Sequence, residues 1–380
     1  PNNLSRQKDF VARQMLSWSL NKNVVQHQAK GFFGYSNLYY EDFVLKRKDS
    51  NKEFLSFLRY KGSWRFQPKW LLQYGADFKK TSVKTKNYSV AINEWGGDMH
   101  SGIVFKPSLY TNIQAMAKIT KRSDLPWYVP YHIEANSFVG KKKQWKLWLR
   151  NGMDVRYPTL NDRYWTPGGN LSLVPEKNNS VSLGTSGKFH LAKNISWGHE
   201  VELFYNKLSN MIIWLPTNKG FFEPFNIGHV LAYGATVQQA VNWVRIHHSV
   251  DLHLSYGWNR SGNMEKRFHN DKSQWVQLPY FPIHSGKMSV SYQWKGLLVN
   301  IDGQAYSERL VTRDGGNTVP AYAILNSAVS YTQKIKTIEL EGRFAINNFL
   351  NEVYEEVRFR PMPQRNYLFT LLITWNYEKN

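Results

Sequence analysis

Three histidines and an aspartate lie close together in the chain: His247, His248, Asp251 and His253. In an extended backbone His247, Asp251 and His253 share one face and His248 points to the other. Imidazole and carboxylate are metal ligands, but with no further ligand nearby this set fits a hydrogen-bond network better than a metal centre. A second group, Glu339, Glu341 and Arg343, alternates along one face and could pair with Lys287. Paired carboxylates suggest acid–base chemistry, yet no nucleophile accompanies them. The patterns G-x-S-x-G and H-E-x-x-H are absent, as is a phosphate-cradling Gly-rich loop with its lysine. Cysteine is absent too, which removes disulfides, thiolate metal sites and a cysteine nucleophile. The reading is a non-enzyme without catalytic residues, metal or cofactor. Asp251, His253, Lys287, Glu339, Glu341 and Arg343 then serve as the polar face of strands.

Aromatic residues gather between the regular stretches. Trp127, Tyr128 and Tyr131 form one set, Tyr164 and Trp165 beside Arg163 a second, and Trp275, Tyr280 and Phe281 a third. Flat rings of this kind suit a large planar ligand, although loop packing and an interfacial girdle use the same residues.

The elements that position these groups are strands. From Arg365 to Tyr377 every second residue is apolar or aromatic: Tyr367, Phe369, Leu371, Ile373, Trp375 and Tyr377. Val250, Leu252, Leu254, Tyr256 and Trp258 oppose Asp251, His253, Ser255 and Gly257, and Met288, Val290, Tyr292 and Trp294 repeat the pattern. Such alternation places one apolar face opposite one polar face. About 17 segments of this type can be drawn, and no long helical period competes with them. No apolar run approaches the roughly 20 residues that a membrane helix needs.

A soluble sandwich also alternates, so the connections decide. Short ones at Gln67–Lys69, Pro107–Leu109, Lys141–Lys143, Leu191–Ser196, Asn242–Trp243, Lys295–Gly296 and Lys334–Lys336 take turns with long ones. The long ones are Thr81–Gly96, Arg122–Pro130, Arg156–Asn178, Ser209–Phe225, Asn259–Pro282, Ser307–Pro320 and Asn348–Gln364. A meander with tight turns at one end and large loops at the other is the arrangement of an outer-membrane barrel. Greek-key sandwiches do not keep such parity. The expected fold is an all-β, transmembrane, antiparallel up-and-down β-barrel. Single-chain bacterial barrels have even strand numbers, so 17 implies missing strands at the front. Pro1 is not an initiating Met, and the chain is expected to begin within a longer protein.

The formal charge of +21 raises nucleic-acid binding. However, the lysines and arginines are spread over many turns and do not form one patch, which favours a solvated rim. In a barrel that rim faces the phosphates of lipopolysaccharide.

Two motifs then resemble a family. Val155-Arg156-Tyr157-Pro158-Thr159-Leu160-Asn161-Asp162-Arg163-Tyr164-Trp165, followed by Gly169-Asn170-Leu171-Ser172-Leu173 and Pro175-Glu176-Lys177, resembles the signature loop of TonB-dependent outer-membrane transporters. Arg360-Pro361-Met362-Pro363-Gln364-Arg365-Asn366-Tyr367 resembles their C-terminal box, and Asn347-Asn348-Phe349-Leu350-Asn351 the approach to the last extracellular loop. The strand pattern extends the resemblance over residues 1–380. It implies a barrel of about 22 strands, with the N-terminal plug and the first strands outside this sequence. It also implies a TonB-ExbB-ExbD energy-coupling partner reached through that plug, a small-molecule ligand and scope for a surface lipoprotein lid. The signature is similar to the cobalamin-transporter subtype, and the interval from Pro158 to Asn170 has no His such as haem receptors of the family carry. A corrinoid is the first expectation and a ferric siderophore the second. Candidate contacts are Trp127, Tyr128, Tyr131, Arg163, Tyr164, Trp165, Trp275, Tyr280 and Phe281. Alternatives from other classes are a passive pore or surface-binding barrel without energy coupling, and a soluble basic β-protein binding nucleic acid.

Overall fold

Residues 5–375, apart from 45, 218, 267, 268, 270 and 271, are described by the computed structural model. The long strands of the first half are β1 (Ser5–Lys22), β2 (Val25–Asp42), β3 (Arg47–Gln67), β4 (Trp70–Lys84), β5 (Ile92–Phe105), β6 (Thr111–Arg122), β7 (Tyr131–Val139) and β8 (Trp145–Arg156). After a single helical turn, α1 (Leu160–Tyr164), come β9 (Glu176–Ala192), β10 (Ile195–Pro216), β11 (Phe222–Arg245), β12 (His248–Asn263), β13 (His284–Trp294) and β14 (Leu297–Tyr306). Two short loop pairs, β15 (Arg309–Leu310) with β16 (Thr318–Val319) and β19 (Glu355–Val357) with β20 (Arg360–Pro361), alternate with β17 (Tyr322–Ile335), β18 (Ile338–Asn347) and β21 (Asn366–Trp375). Seventeen strands belong to one sheet, and each recorded ladder is antiparallel. Tyr377, the expected aromatic end of the last strand, lies outside the described residues.

The chain forms two compact units. The first comprises Pro1–Ser137, Arg150–Val181 and Lys207–His229, the second Phe138–Leu149, Ser182–Asn206 and Val230–Asn380. In the first, the ladder aligns Trp18, Ala29, Tyr60, Ala76, Met99 and Ile119 in one apolar row across β1 to β6. One residue along, on the other face, run Ser17, Lys30, Arg59, Asp77, Asp98 and Thr120. In the second, Trp243, Val250, Tyr292, Val299, Val329, Phe344 and Phe369 make the apolar row, beside Asn242, Asp251, Ser291 and Asn300 on the polar face.

Among the described residues nothing covers the apolar rows. Met99 is 68% exposed and Phe369 69%, where the interior of a sandwich would bury them almost completely. Hydrocarbon is the solvent that accounts for such a face, and a backbone satisfied wholly by strand ladders can enter it. At the tight-turn end Trp64, Phe66, Trp70 and Phe105 form a chain of rings at successive separations of 5.6, 6.5 and 4.2 Å. In the second unit, His248 stacks on Trp294 beside the short turns 246–247 and 295–296, with ring centroids 6.1 Å apart. This is the aromatic belt expected where a bilayer meets water.

Short connections at 23–24, 68–69, 106–110, 140–144, 193–194, 246–247, 295–296 and 336–337 alternate with long ones at 85–91, 123–130, 157–175, 264–283, 307–321 and 348–365, while 43–46 and 217–221 are short as well. Several strands outrun their sequence-based limits. The β10–β11 hairpin continues through most of 209–225, expected as loop, because loop residues and not lipid supply its partners there. Glu176 accepts the N–H of Ile212, and Asn226 donates to the carbonyls of Val174 and Asn210. The following turn falls at 246–247 and not at Asn242–Trp243. His247 is therefore a turn residue and does not share the strand face of Asp251 and His253.

Candidate functional site

The loop from 157 to 175 is anchored residue by residue to its neighbours in the first unit. Thr159 caps α1: its hydroxyl accepts the Asp162 N–H, and the Asp162 carboxylate accepts the Thr159 N–H at 2.8 Å. This reciprocal cap starts the single turn that places Arg163 and Tyr164. The other oxygen of Asp162 accepts from the Trp214 indole at 2.9 Å, tying α1 to β10. Arg156 makes a two-point contact with Glu176, spanning the two ends of the loop. Arg163 donates to both oxygens of Asp124, at 2.9 and 2.6 Å, and so fastens the loop to the 123–130 connection. That contact holds the Asp124 carboxyl below the usual carboxylate range. Tyr157 donates to the carbonyls of Thr120 and Pro126, and burial pushes its hydroxyl pKa up. On the opposite flank the Tyr88 hydroxyl donates to Asn161 at 2.6 Å, and Tyr88 bridges Trp165 through the backbone.

A paired, capped, two-point-bonded network of this kind is costly to leave half made, so it holds one loop conformation. Its tightest burial is at Pro175, Pro224 and Ile227, where the loop meets β10–β11. On the polar face beneath, a cavity of about 440 Å³ is lined by Ser36, Asn51, Glu53, Tyr88, Asn161 and Trp165.

The sequence-predicted residues divide between the units. Arg163 is buried and committed to Asp124, its guanidinium 5.1 Å over the Tyr164 ring. Trp165 and Trp127 are exposed, with the Lys121 ammonium 5.6 Å from the Trp127 ring and Lys177 4.9 Å from that of Tyr128. Tyr131 opens β7 and borders a separate polar-face cavity with Lys118 and His132. In the second unit Trp275, Tyr280 and Phe281 are exposed on the 264–283 loop. That loop is stapled to β12 by the buried Gln277, which accepts the Ser261 N–H at 3.0 Å.

The polar-face residues are also spread. His253 and Lys287 line a cavity of about 510 Å³ with Ser289, Asp302 and Gln304, while Asp251 accepts from Asn242 at 2.5 Å. Lys287 does not pair with Glu339 or Glu341, because β14 and β17 stand between their strands. Glu339 pairs instead with Lys334 across the hairpin at 3.2 Å, Glu341 faces Thr332, and Arg343 faces Ser330. Missed by sequence reasoning were Asp124, Glu176 and Trp214. Only Glu176 carried a signal, its place in the Pro175-Glu176-Lys177 motif.

Residues 26–349 match the family model described as TonB dependent receptor-like, beta-barrel. The chain belongs to that family. TonB-dependent receptors are receptors and transporters of the outer membrane, and the fold and loop parity agree with that placement. Curated relatives include the vitamin B12 transporter BtuB of Vibrio cholerae, 24% identical over 220 residues, which are 58% of this chain and 33% of the relative. BtuB of Photobacterium profundum is 25% identical over 228 residues, 58% of this chain and 34% of the relative. The chain thus spans about a third of the length of these receptors. Among solved structures, the siderophore receptor PirA from Acinetobacter baumannii superposes with a TM-score of 0.73 at 11% identity, over 96% of this chain and 62% of that one. The copper transporter OprC gives 0.71 at 11%, over 96% and 67%. Likeness at that identity establishes the fold of the TonB-dependent receptor and not its cargo.

Proposed function

We propose that this chain is the barrel wall and loop portion of a TonB-dependent importer that captures a scarce, bulky nutrient outside the cell, a corrinoid before a ferric siderophore. The observation that carries the reading is the pinned 157–175 loop. It presents Trp165 beside a polar-face cavity and Trp127 on the neighbouring connection, held by ion pairs and a cap. Preorganised rings lose little freedom when they stack on a flat macrocycle, which favours tight capture. The matched relatives named as vitamin B12 transporters favour the corrinoid over other cargo.

A lumen of this class is too wide for side chains to fill, so transport requires a plug and an energy source. In this reading the plug and first strands belong to the rest of the protein, and the TonB-ExbB-ExbD complex acts on that plug. The decisive experiment is calorimetry of the full-length, detergent-extracted receptor against cobalamin and ferric chelates, with uptake compared in cells with and without TonB. Tight cobalamin binding with TonB-dependent uptake supports the reading. Binding of a ferric siderophore alone moves the cargo to the second choice, and uptake indifferent to TonB makes the protein a passive pore.

A further inference from the structure

Lysines and arginines that are scattered along the sequence are sorted by the fold. In the second unit the tight turns at 140–144, 193–194, 295–296 and 336–337 carry Lys141, Lys142, Lys193, Lys295 and Lys336. Arg245 stands directly before the turn at 246–247, and all six cations are exposed. The first unit, taken by itself, places Lys22, Lys69 and Lys106 within or beside its own tight turns at 23–24, 68–69 and 106–110. No acidic residue occupies any of these turns, whereas the long connections mix both signs, with Asp124, Asp314 and Glu352 among them. In an outer-membrane barrel the short turns face the periplasm. Backbone geometry marks some of the same residues. Lys143, Lys295 and Lys336 have φ of 52°, 53° and 52°, in the left-handed region where Gly or Asn fits and a long side chain is crowded. Folding alone gives no reason for lysine there; its charge does. Strands β11, β12, β13, β14, β17 and β18 form one continuous antiparallel ladder. The turns at 246–247, 295–296 and 336–337 therefore stand side by side at its edge, each two strands from the next, roughly 10 Å at the usual strand spacing. Among the described residues Arg245, Lys295 and Lys336 have no acidic partner, while nearby Lys334 has Glu339 at 3.2 Å. The Lys295 ammonium lies 5.6 Å from the Trp294 ring, so the row of cations begins where the aromatic belt ends.

We infer that Arg245, Lys295 and Lys336 form a docking edge for an acidic linear polymer of the periplasm, the carboxylate-bearing glycopeptide of the cell wall. Cations roughly 10 Å apart cannot both touch one phosphate, and salt screens the farther one over about 8 Å. A lipid headgroup or a free anion thus meets a single weak contact. A polymer with repeated carboxylates engages the whole row, because the first contact raises the effective concentration for the next. The inference rests on the outer-membrane placement of the family; neither the cargo nor the energy coupling enters it.

The test sediments the full-length receptor in detergent with purified peptidoglycan sacculi, and with the same sacculi after their carboxylates have been amidated. Wild type should co-sediment with the native sacculi, stay in solution with the amidated ones, and be released as salt is raised to about 0.5 M. The triple variant R245Q/K295N/K336N should bind about tenfold more weakly, at about a factor of two for each exposed charge contact. Asparagine is at home at positive φ, so thermal unfolding should find this variant no less stable than wild type, which separates loss of charge from loss of fold. The charge-preserving triple R245K/K295R/K336R should bind like wild type. Equal retention on amidated sacculi, unchanged binding by the neutral triple, or release by short-chain phosphatidylglycerol would overturn the docking edge, the last by making the occupant a lipid. Cobalamin calorimetry on the same preparation is read separately, so failure of the importer reading leaves this result intact.

Discussion

The guanidinium of Arg163 is buried while the Asp124 carboxylate it grips, at 2.9 and 2.6 Å, stands 63% exposed in its side chain. The asymmetry makes Asp124 the accessible half of the clasp between two loops. Removing it by Asp124→Ala strands a buried cation, at a cost of about 2 kcal/mol once the buried-pair penalty is discounted for the open carboxylate. The loop from 157 to 175 should then be cut faster by added protease, and ligand binding should weaken by up to about thirtyfold by calorimetry, since each 1.4 kcal/mol corresponds to a factor of ten.

The same clasp sets a pH response. Because Arg163 depresses the Asp124 pKa in the folded protein, the stabilisation is complete above the ordinary carboxylate value of about 3.9. It is lost as the pH falls below that and through the depressed value. Pepsin should leave the loop intact near pH 4 and open it at lower pH, and the step should vanish in Asp124→Asn.

Glu176 works as a node of a different kind. One carboxylate accepts from Arg156 at two points and from the Ile212 amide, so it carries both the end of the signature loop and the extension of β10. Glu176→Ala should leave Arg156 and Ile212 without their partner and cost about 3 kcal/mol. Hydrogen exchange should rise sharply over 209–216 and remain unchanged over 248–258.

Much of this was legible in the sequence, and the rest was not, for a physical reason. The face alternation of Val250 to Trp258 is a local, period-two signal imposed by lipid on one side, so strand number and parity could be read directly. Arg163 and Asp124 lie 39 residues apart in segments without period, and nothing local joins them. Arg163, expected as a ligand contact beside Tyr164 and Trp165, is buried against Asp124 and fastens the loop. The extension of β10 through Ile212 was hidden for the same reason, since its partners are loop atoms and not lipid.

If stacking on exposed rings is what captures the nutrient, Trp165→Ala and Trp127→Ala should each raise the dissociation constant by roughly tenfold, as an aromatic contact of about 1 kcal/mol plus lost area implies. Trp165→Phe should recover most of the affinity. Calorimetry that finds both alanine variants unchanged would remove these rings from the ligand surface.

The lipid-facing assignment makes the sharpest contrast between neighbours. Met99 sits mid-row between Ala76 and Ile119 on the apolar face and is 68% exposed. Gln114, on the polar face of β6, stands opposite Glu134 of β7. Arginine at the first site must enter hydrocarbon, at a cost of about 2–4 kcal/mol near the bilayer midplane. At the second it meets a carboxylate across the ladder and should cost less than about 1 kcal/mol, because opposite charges in that position attract. Reversible unfolding of the full-length receptor into phospholipid vesicles would read both variants. A soluble fold would give the opposite result in one respect: Met99→Arg would then be harmless in water, because none of the described residues covers that side chain.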